Sequence, residues 1–293
     1  MKPYRSLLFV PGHKRDWIDK ALASPAQAII IDLEDSVPAD AKEHARANVV
    51  DVLATAPGKG VLVRVNALDT AWFGEDVAAV VRPGLTGLLL PKLFSRDDVV
   101  RFDGVITAAE LANGVERGST EVMPSLETAA SIAKVDEILA GPRVGAVMAA
   151  AAKDADVSRE VGFTWSAEGL ETLYLRSKAV VAARAADVRC IVLGLWQDVR
   201  NLDGMRGFAQ ANRALGYTGQ VIIHPSHASI ANEEYELTET QVDYLTGLVH
   251  AFRAGEASGH GAVMYRGDHI DLAHARNAEE QLRLAGINID QED

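Results

Sequence analysis

Eight short apolar runs, each closed by polar or turn residues, constrain this chain more than any other feature. They are SLLFVPG (6–12), AIIIDLED (28–35), VLVRVN (61–66), GLLLPK (87–92), EVMPSLE (121–127), GAVMAAAAKD (145–154), CIVLGLWQD (190–198) and QVIIHP (220–225). Most lack a polar alternation, which is how strands covered on both faces read. The stretches between them look helical. ADAKEHARANVVDVLATA (39–56) has helical spacing and stops before Pro57 and Gly58. SAEGLETLYLRSKAVVAARAA (166–186) opens on Ser166 with Glu168 and Glu171 in its early turns, a helix start. LDGMRGFAQANRALGYTG (202–219) ends in glycines, a helix stop. Strands alternating with helices predict an α/β chain folded as a (β/α)8 TIM barrel over residues 1–232. A doubly wound open sheet is the alternative, because alternation does not prove closure.

Residues 233–293 lie beyond the eighth run and predict a C-terminal helical extension. It should hold a helix over 239–257, a glycine-rich loop or hairpin over 258–271 and a last helix over 272–286. Such a segment is too small for an independent core. It is expected to dock on its own barrel or on a neighbouring subunit.

Composition narrows the functional classes. The 293 residues carry a formal charge of -12, which argues against a nucleic-acid groove or an anionic membrane surface. A local Arg/Lys cluster can still hold an anionic substrate. The one cysteine, Cys190, sits in an apolar run and reads as a buried residue. No stretch approaches the ~18 apolar residues of a membrane span, and LLFV is too short for a signal-peptide core. A soluble, cytoplasmic protein is expected.

The ends of the runs raise a chemical question. AIIIDLED places Asp32, Glu34 and Asp35 where an apolar strand stops, and burying carboxylates without partners costs several kcal/mol. In a barrel, functional residues come from the C-terminal strand ends. These ends supply Asp32, Glu34, Asp35, Arg64, Asn66, Lys92, Glu127, Asp154, Asp198 and His224. The acids of DLED can then meet Arg64, Lys92 or a metal at one rim. Arg64 and Lys92 together suit a carboxylate or phosphate. Glu127 and Asp154 end consecutive runs, and adjacent strands lie ~4.8 Å apart. Something positive belongs between two such acids. It is either a hard divalent cation such as Mg²⁺ or a structural ion pair with Lys153 or Lys92. In HPSH, Pro225 breaks the geometry of a helical metal pair, so His224 reads as a capping or ligand-contacting residue.

Together, RSLLFVPG, AIIIDLEDSVPADAKEHAR, VRVN, LLPK, PSLETA, LGYTGQVIIHPSH and HIDLAHARNAEEQL resemble the citrate lyase β-subunit-like family. These are the citryl-CoA, malyl-CoA and citramalyl-CoA lyases of the HpcH/HpaI aldolase superfamily. The resemblance covers nearly the whole chain in motif order. It implies a trimeric or hexameric barrel enzyme that splits a 3-hydroxyacyl-CoA thioester into acetyl-CoA and a 2-oxo acid. It further implies that Glu127 and Asp154 bind Mg²⁺ and that Arg64 binds the oxo acid. Asp271 resembles an acid/base that a neighbouring subunit can deliver. The DLED acids, with Lys42 and Arg46, resemble a rim network near the substrate. The chain departs from its relatives at AAAKD, where they usually read Gly-Ala-Glu-Asp, and Lys153 puts a positive charge beside the expected ligand. Two other readings follow: a thioesterase acting on a malyl-CoA-type compound, and a barrel that binds an acyl-CoA or acyl carrier without turnover.

Overall fold

A computed structural model of the chain describes residues 1–55 and 58–289. The expected end of the 39–56 helix at residue 56, Pro57, and residues 290–293 of the extension lie outside the described residues. The apolar runs form β1 (Ser6–Pro11), β2 (Ala28–Asp32), β3 (Gly60–Arg64), β4 (Gly87–Leu90), β5 (Glu121–Leu126), β6 (Ala146–Ala150), β7 (Cys190–Gly194) and β8 (Gly219–Ile222). All pair in parallel with their sequence neighbours, and β8 pairs back on β1. The sheet is therefore closed, and the chain is a (β/α)8 barrel rather than an open doubly wound sheet.

The missing polar alternation has its explanation in two buried faces. Leu7, Ile30, Leu62, Leu89, Met123 and Val192 fill the barrel interior. Their neighbours Leu8, Ile29, Ile31, Val61, Val63 and Leu88 pack on the helical layer. Because side chains alternate with period two, the inward row continues past Ile30 to Asp32 and past Leu62 to Arg64. The same count past Met123 reaches Ser125 and then Glu127. Past Met148 and Val192 it reaches Ala150 and Gly194. The sequence thus places its charges on one arc of the rim and its small residues on another.

Two helix expectations shift. The stretch from Ser166 starts as a turn: Gly169 adopts φ 66°, a short 3-10 turn follows, and the α-helix runs only over Leu173–Ala185. Ser166 spends its N–H and hydroxyl on Glu171 at 2.8 and 2.7 Å. The helix Leu202–Leu215 stops at Gly216, φ 105°, so that Gly219 can open β8. A Cβ at Gly219 would lie 1.9 Å from the Tyr4 carbonyl oxygen, which makes glycine obligatory there.

The chain divides into two compact units, Met1–Tyr235 and a second beginning at Glu236. The second contains the helix Glu239–Ala257, the antiparallel pair β9 (Ala262–Tyr265) and β10 (Asp268–Asp271), and the helix Leu272–Leu284. Contrary to expectation it gathers an apolar cluster of its own, including Leu245, Val249, Phe252, Ile270 and Leu282. Among the described residues no helix is long and apolar enough to cross a membrane.

Candidate active site

The carboxylates of DLED are satisfied by two cations and by their own loop. Asp32 and Arg64 stand opposite each other in the β2–β3 register. Arg64 donates to Asp32 through Nε at 2.6 Å and Nη2 at 2.7 Å, a two-pronged pair. Asp32 also accepts the N–H groups of Glu34 at 2.9 Å and Ser36 at 3.0 Å, and the Ser36 hydroxyl at 2.5 Å. Burial opposes its charge, but Arg64 and these donors hold its carboxyl below the usual range. Glu34, also buried, lies 3.0 Å from Arg64 Nη1 and 2.8 Å from Lys92 Nζ. Burial together with the Glu127 and Asp35 charges outweighs both cations, and its carboxyl is pushed up to about 7. Exposed Asp35 completes the chain of charges, 3.0 Å from Lys92 Nζ.

Glu127 follows β5 directly and is buried. Its Oε2 accepts the Ser125 hydroxyl at 3.0 Å and its Oε1 the backbone N–H of Lys92 at 2.8 Å. Lys92 reaches it from φ 50°, a left-handed conformation that marks a built site. The Lys92 partner of Glu127 is therefore its backbone, while its ammonium serves Glu34 and Asp35. Burial raises the Glu127 pKa despite Arg64, and Asp156 adds to the rise.

The expected partner of Glu127, Asp154, stands away from a strand end. β6 ends at Ala150, and Asp154 lies four residues further on, exposed in a turn at φ 51°. It does not close the strand, and it is not part of the cavity wall. Lys153 is exposed in the same turn. The second acid on the wall is Asp156, the first residue of the helix Asp156–Val161, 2.7 Å from Arg159 Nη2. The signal for it was present: an acid opening the helical stretch DVSREV, which Gly162 closes.

Of Lys42 and Arg46, expected in a network with the DLED acids, Lys42 joins that loop. Lys42 is buried, and its ammonium donates to the carbonyls of Leu33 at 2.6 Å and Glu34 at 2.7 Å and to Asn66 Oδ1 at 2.7 Å. It pins the DLED loop from behind. Arg46 pairs with Glu75 at 2.6 Å and Asp76 at 3.1 Å. Neither lines the cavity, because the helix Lys42–Ala54 packs outside the strands. His224 turns onto Ser226, with Nδ1 2.7 Å from its hydroxyl, while Pro225 is the N-cap of the helix Ser226–Glu234, which has no side-chain cap. Asp271 belongs to the second unit, where it caps the helix Leu272–Leu284 by accepting the Ala273 N–H at 2.9 Å. Its carboxyl is held below the usual range, chiefly by the His274 side chain 2.7 Å away.

A cavity of about 390 Å³ opens among these residues. Asp32, Ser36, Arg64, Glu127 and Asp156 form its polar wall; Phe9, Trp17, Met148, Ala150, Leu195 and Ile223 are prominent in the apolar one. The Phe9 ring lies 5.0 Å from the Arg64 guanidinium carbon. Three Arg64 nitrogens serve Asp32 and Glu34, yet a guanidinium has five N–H groups, so donor capacity remains for one more oxyanion. Among the described residues no three His, Cys, Asp or Glu converge as metal ligands. The wall instead offers two hard carboxylates, Glu127 and Asp156. That donor set fits Mg²⁺, which takes one or two carboxylates and leaves the rest of its shell to water and substrate oxygens.

A closed parallel barrel thus carries a fixed arginine and two carboxylates on a part-apolar cavity at its strand ends. The model of the HpcH/HpaI aldolase/citrate lyase family matches residues 5–225, and the chain belongs to this family of carbon–carbon lyases. An L-malyl-CoA/beta-methylmalyl-CoA lyase of Cereibacter sphaeroides is 33% identical over 97% of this chain and 95% of its own. A (3S)-malyl-CoA thioesterase of the same species is 32% identical over 97% and 95%. Among solved structures, CitE from Mycobacterium tuberculosis, in complex with magnesium, acetoacetate and coenzyme A, superposes with a TM-score of 0.77. It is 26% identical, and the match covers 97% of this chain and 98% of that one.

Proposed function

We propose that this protein is a Mg²⁺-dependent lyase that splits a 3-hydroxyacyl-CoA thioester of the malyl-, citramalyl- or citryl-CoA type into acetyl-CoA and a 2-oxo acid. The observation that carries the reading is the convergence of Arg64, Glu127 and Asp156 on one cavity wall. The relatives' names and the ligands held by the solved CitE support the substrate class.

Glu127 and Asp156 would hold the metal. When bound, Mg²⁺ supplies Lewis acidity at the substrate hydroxyl oxygen and at the carbonyl formed from it. Arg64, locked by Asp32 and Glu34, presents its remaining N–H groups to the acid's carboxylate at little reorganisation cost. In cleavage the hydroxyl gives up its proton to water, the carbon–carbon bond breaks as the carbonyl forms, and the electron pair of that bond stays on the acetyl-CoA fragment. Asp271, delivered from a neighbouring subunit as the resemblance implies, would give that carbon its proton, and in condensation its carboxylate would take one from the methyl group. The chain would work as a homo-oligomer, trimer or hexamer, in the cytoplasm. Lys153, exposed outside the cavity wall, leaves the non-catalytic reading without its motive.

The deciding assay offers malyl-CoA, citramalyl-CoA and citryl-CoA to the purified chain with and without Mg²⁺, following both oxo acid and free thiol. Oxo acid formed only with Mg²⁺ is expected, with loss in Asp271→Asn. Thiol without oxo acid would replace this reading with the thioesterase one.

A further inference from the structure

Two properties of the cavity, its cation count and its small-residue arc, bear on which 2-oxo acid fits. Among the described residues that line it, Arg64 is the one cation, and it faces three acids, Asp32, Glu127 and Asp156. Lys92 is occupied by Glu34 and Asp35 and does not line the cavity. After its bonds to Asp32 and Glu34, Arg64 keeps donors for a single carboxylate. The opposite arc, from β6 to β8, carries Met148, Ala150, Gly194, Leu195 and Ile223, with no charge among them. At Gly194 a Cβ would meet only Val221 Cβ at 3.8 Å and Met148 Sδ at 3.9 Å, ordinary contact distances. The wall there is recessed by about one methyl group.

We infer that the 2-oxo acid of this site is a monocarboxylate with hydrogen or a short alkyl group as its substituent, and that Gly194 and Ala150 set the permitted size. This rests on the lyase reading and narrows it. A second carboxylate directed at the β6–β8 arc would be desolvated against apolar walls without a partner. An alkyl group in the same place gains from burial.

The test is calorimetric titration of the full chain in saturating MgCl₂ with pyruvate, 2-oxobutyrate and fresh oxaloacetate. The last two have equal chain length and differ by methyl against carboxylate. 2-Oxobutyrate is expected to bind at least tenfold tighter than oxaloacetate. Gly194→Ala should weaken 2-oxobutyrate severalfold more than pyruvate, and Ala150→Val should repeat this if Gly194→Ala fails to fold. Ile223→Lys, at an exposed mouth position, should narrow the gap to oxaloacetate. Equal or tighter binding of oxaloacetate overturns the inference, and so does binding of none of the three. A protein that cleaves citryl-CoA fastest keeps the lyase reading and loses this one. A protein that prefers 2-oxobutyrate but releases only thiol from every thioester keeps the pocket's selectivity and loses the lyase reading.

Discussion

Arg64 and Asp32 face each other across the β2–β3 register, and two guanidinium nitrogens reach the two carboxylate oxygens at 2.6 and 2.7 Å. The pair explains why an apolar strand ends in acids: Asp32 is the mould that aims the arginine. Lysine has the charge but not the fork. Arg64→Lys is therefore expected to fold and to lose on the order of 10²-fold in kcat/KM for thioester cleavage. Arg64→Ala strands Asp32 and Glu34 and should cost about 3–5 kcal/mol of stability, read from urea unfolding. An Arg64→Lys enzyme with full activity would remove Arg64 from substrate binding.

The two neighbouring aspartates separate cleanly. Asp156 lines the cavity with Glu127, while Asp154 is exposed in a turn. Asp156→Asn should weaken Mg²⁺ binding at least tenfold in a calorimetric titration, since a neutral amide replaces one of the two carboxylates proposed to hold the ion. Asp154→Asn should leave it within twofold. The reverse result would return the metal site to the strand-end expectation.

Lys42 ties two carbonyls of the DLED loop to Asn66. Lys42→Met keeps the stem but leaves three acceptors short of a donor, at an expected cost of about 2–4 kcal/mol. Amide hydrogen exchange should speed up over residues 33–37 and stay unchanged in the hairpin of the second unit. Uniform loss of protection would indicate general destabilisation instead.

Acid stability should report on a pair far from the cavity. Glu110 accepts Arg143 Nη1 and Nη2 at 2.7 and 3.0 Å and the N–H groups of Gly118 and Thr120 at 2.8 and 2.9 Å. Burial raises its pKa, but these donors prevail and lower it from 4.5 to about 2. A lowered folded-state value means stabilisation that is complete above about pH 4.5 and lost as pH falls toward 2. After solvent screening it is worth about 2 kcal/mol. The urea midpoint of Glu110→Gln should fall below wild type at pH 7, and the difference should shrink by pH 3. A gap independent of pH would assign Glu110 a packing role.

What the amino-acid order determined by itself was local and periodic. Strands buried on both faces must be apolar without alternation, so eight of them were visible at once. A period of two carries the inward row from Ile30 to Asp32 and from Leu62 to Arg64, so the partners of the DLED acids could be named from strand ends. Closure was not legible, because the β8–β1 pairing joins residues more than 200 positions apart and no local pattern encodes it. Nor was the placement of Asp154 and Asp156 relative to the cavity: it depends on where β6 stops and on a left-handed turn at Asp154 before the next helix. Lys42, expected in a rim network near the substrate, is a buried brace because three acceptors from other segments converge on it. The recess at Gly194 exists only when β6, β7 and β8 stand side by side. Periodicity decides which residues face inward; the tertiary fold decides which of them meet.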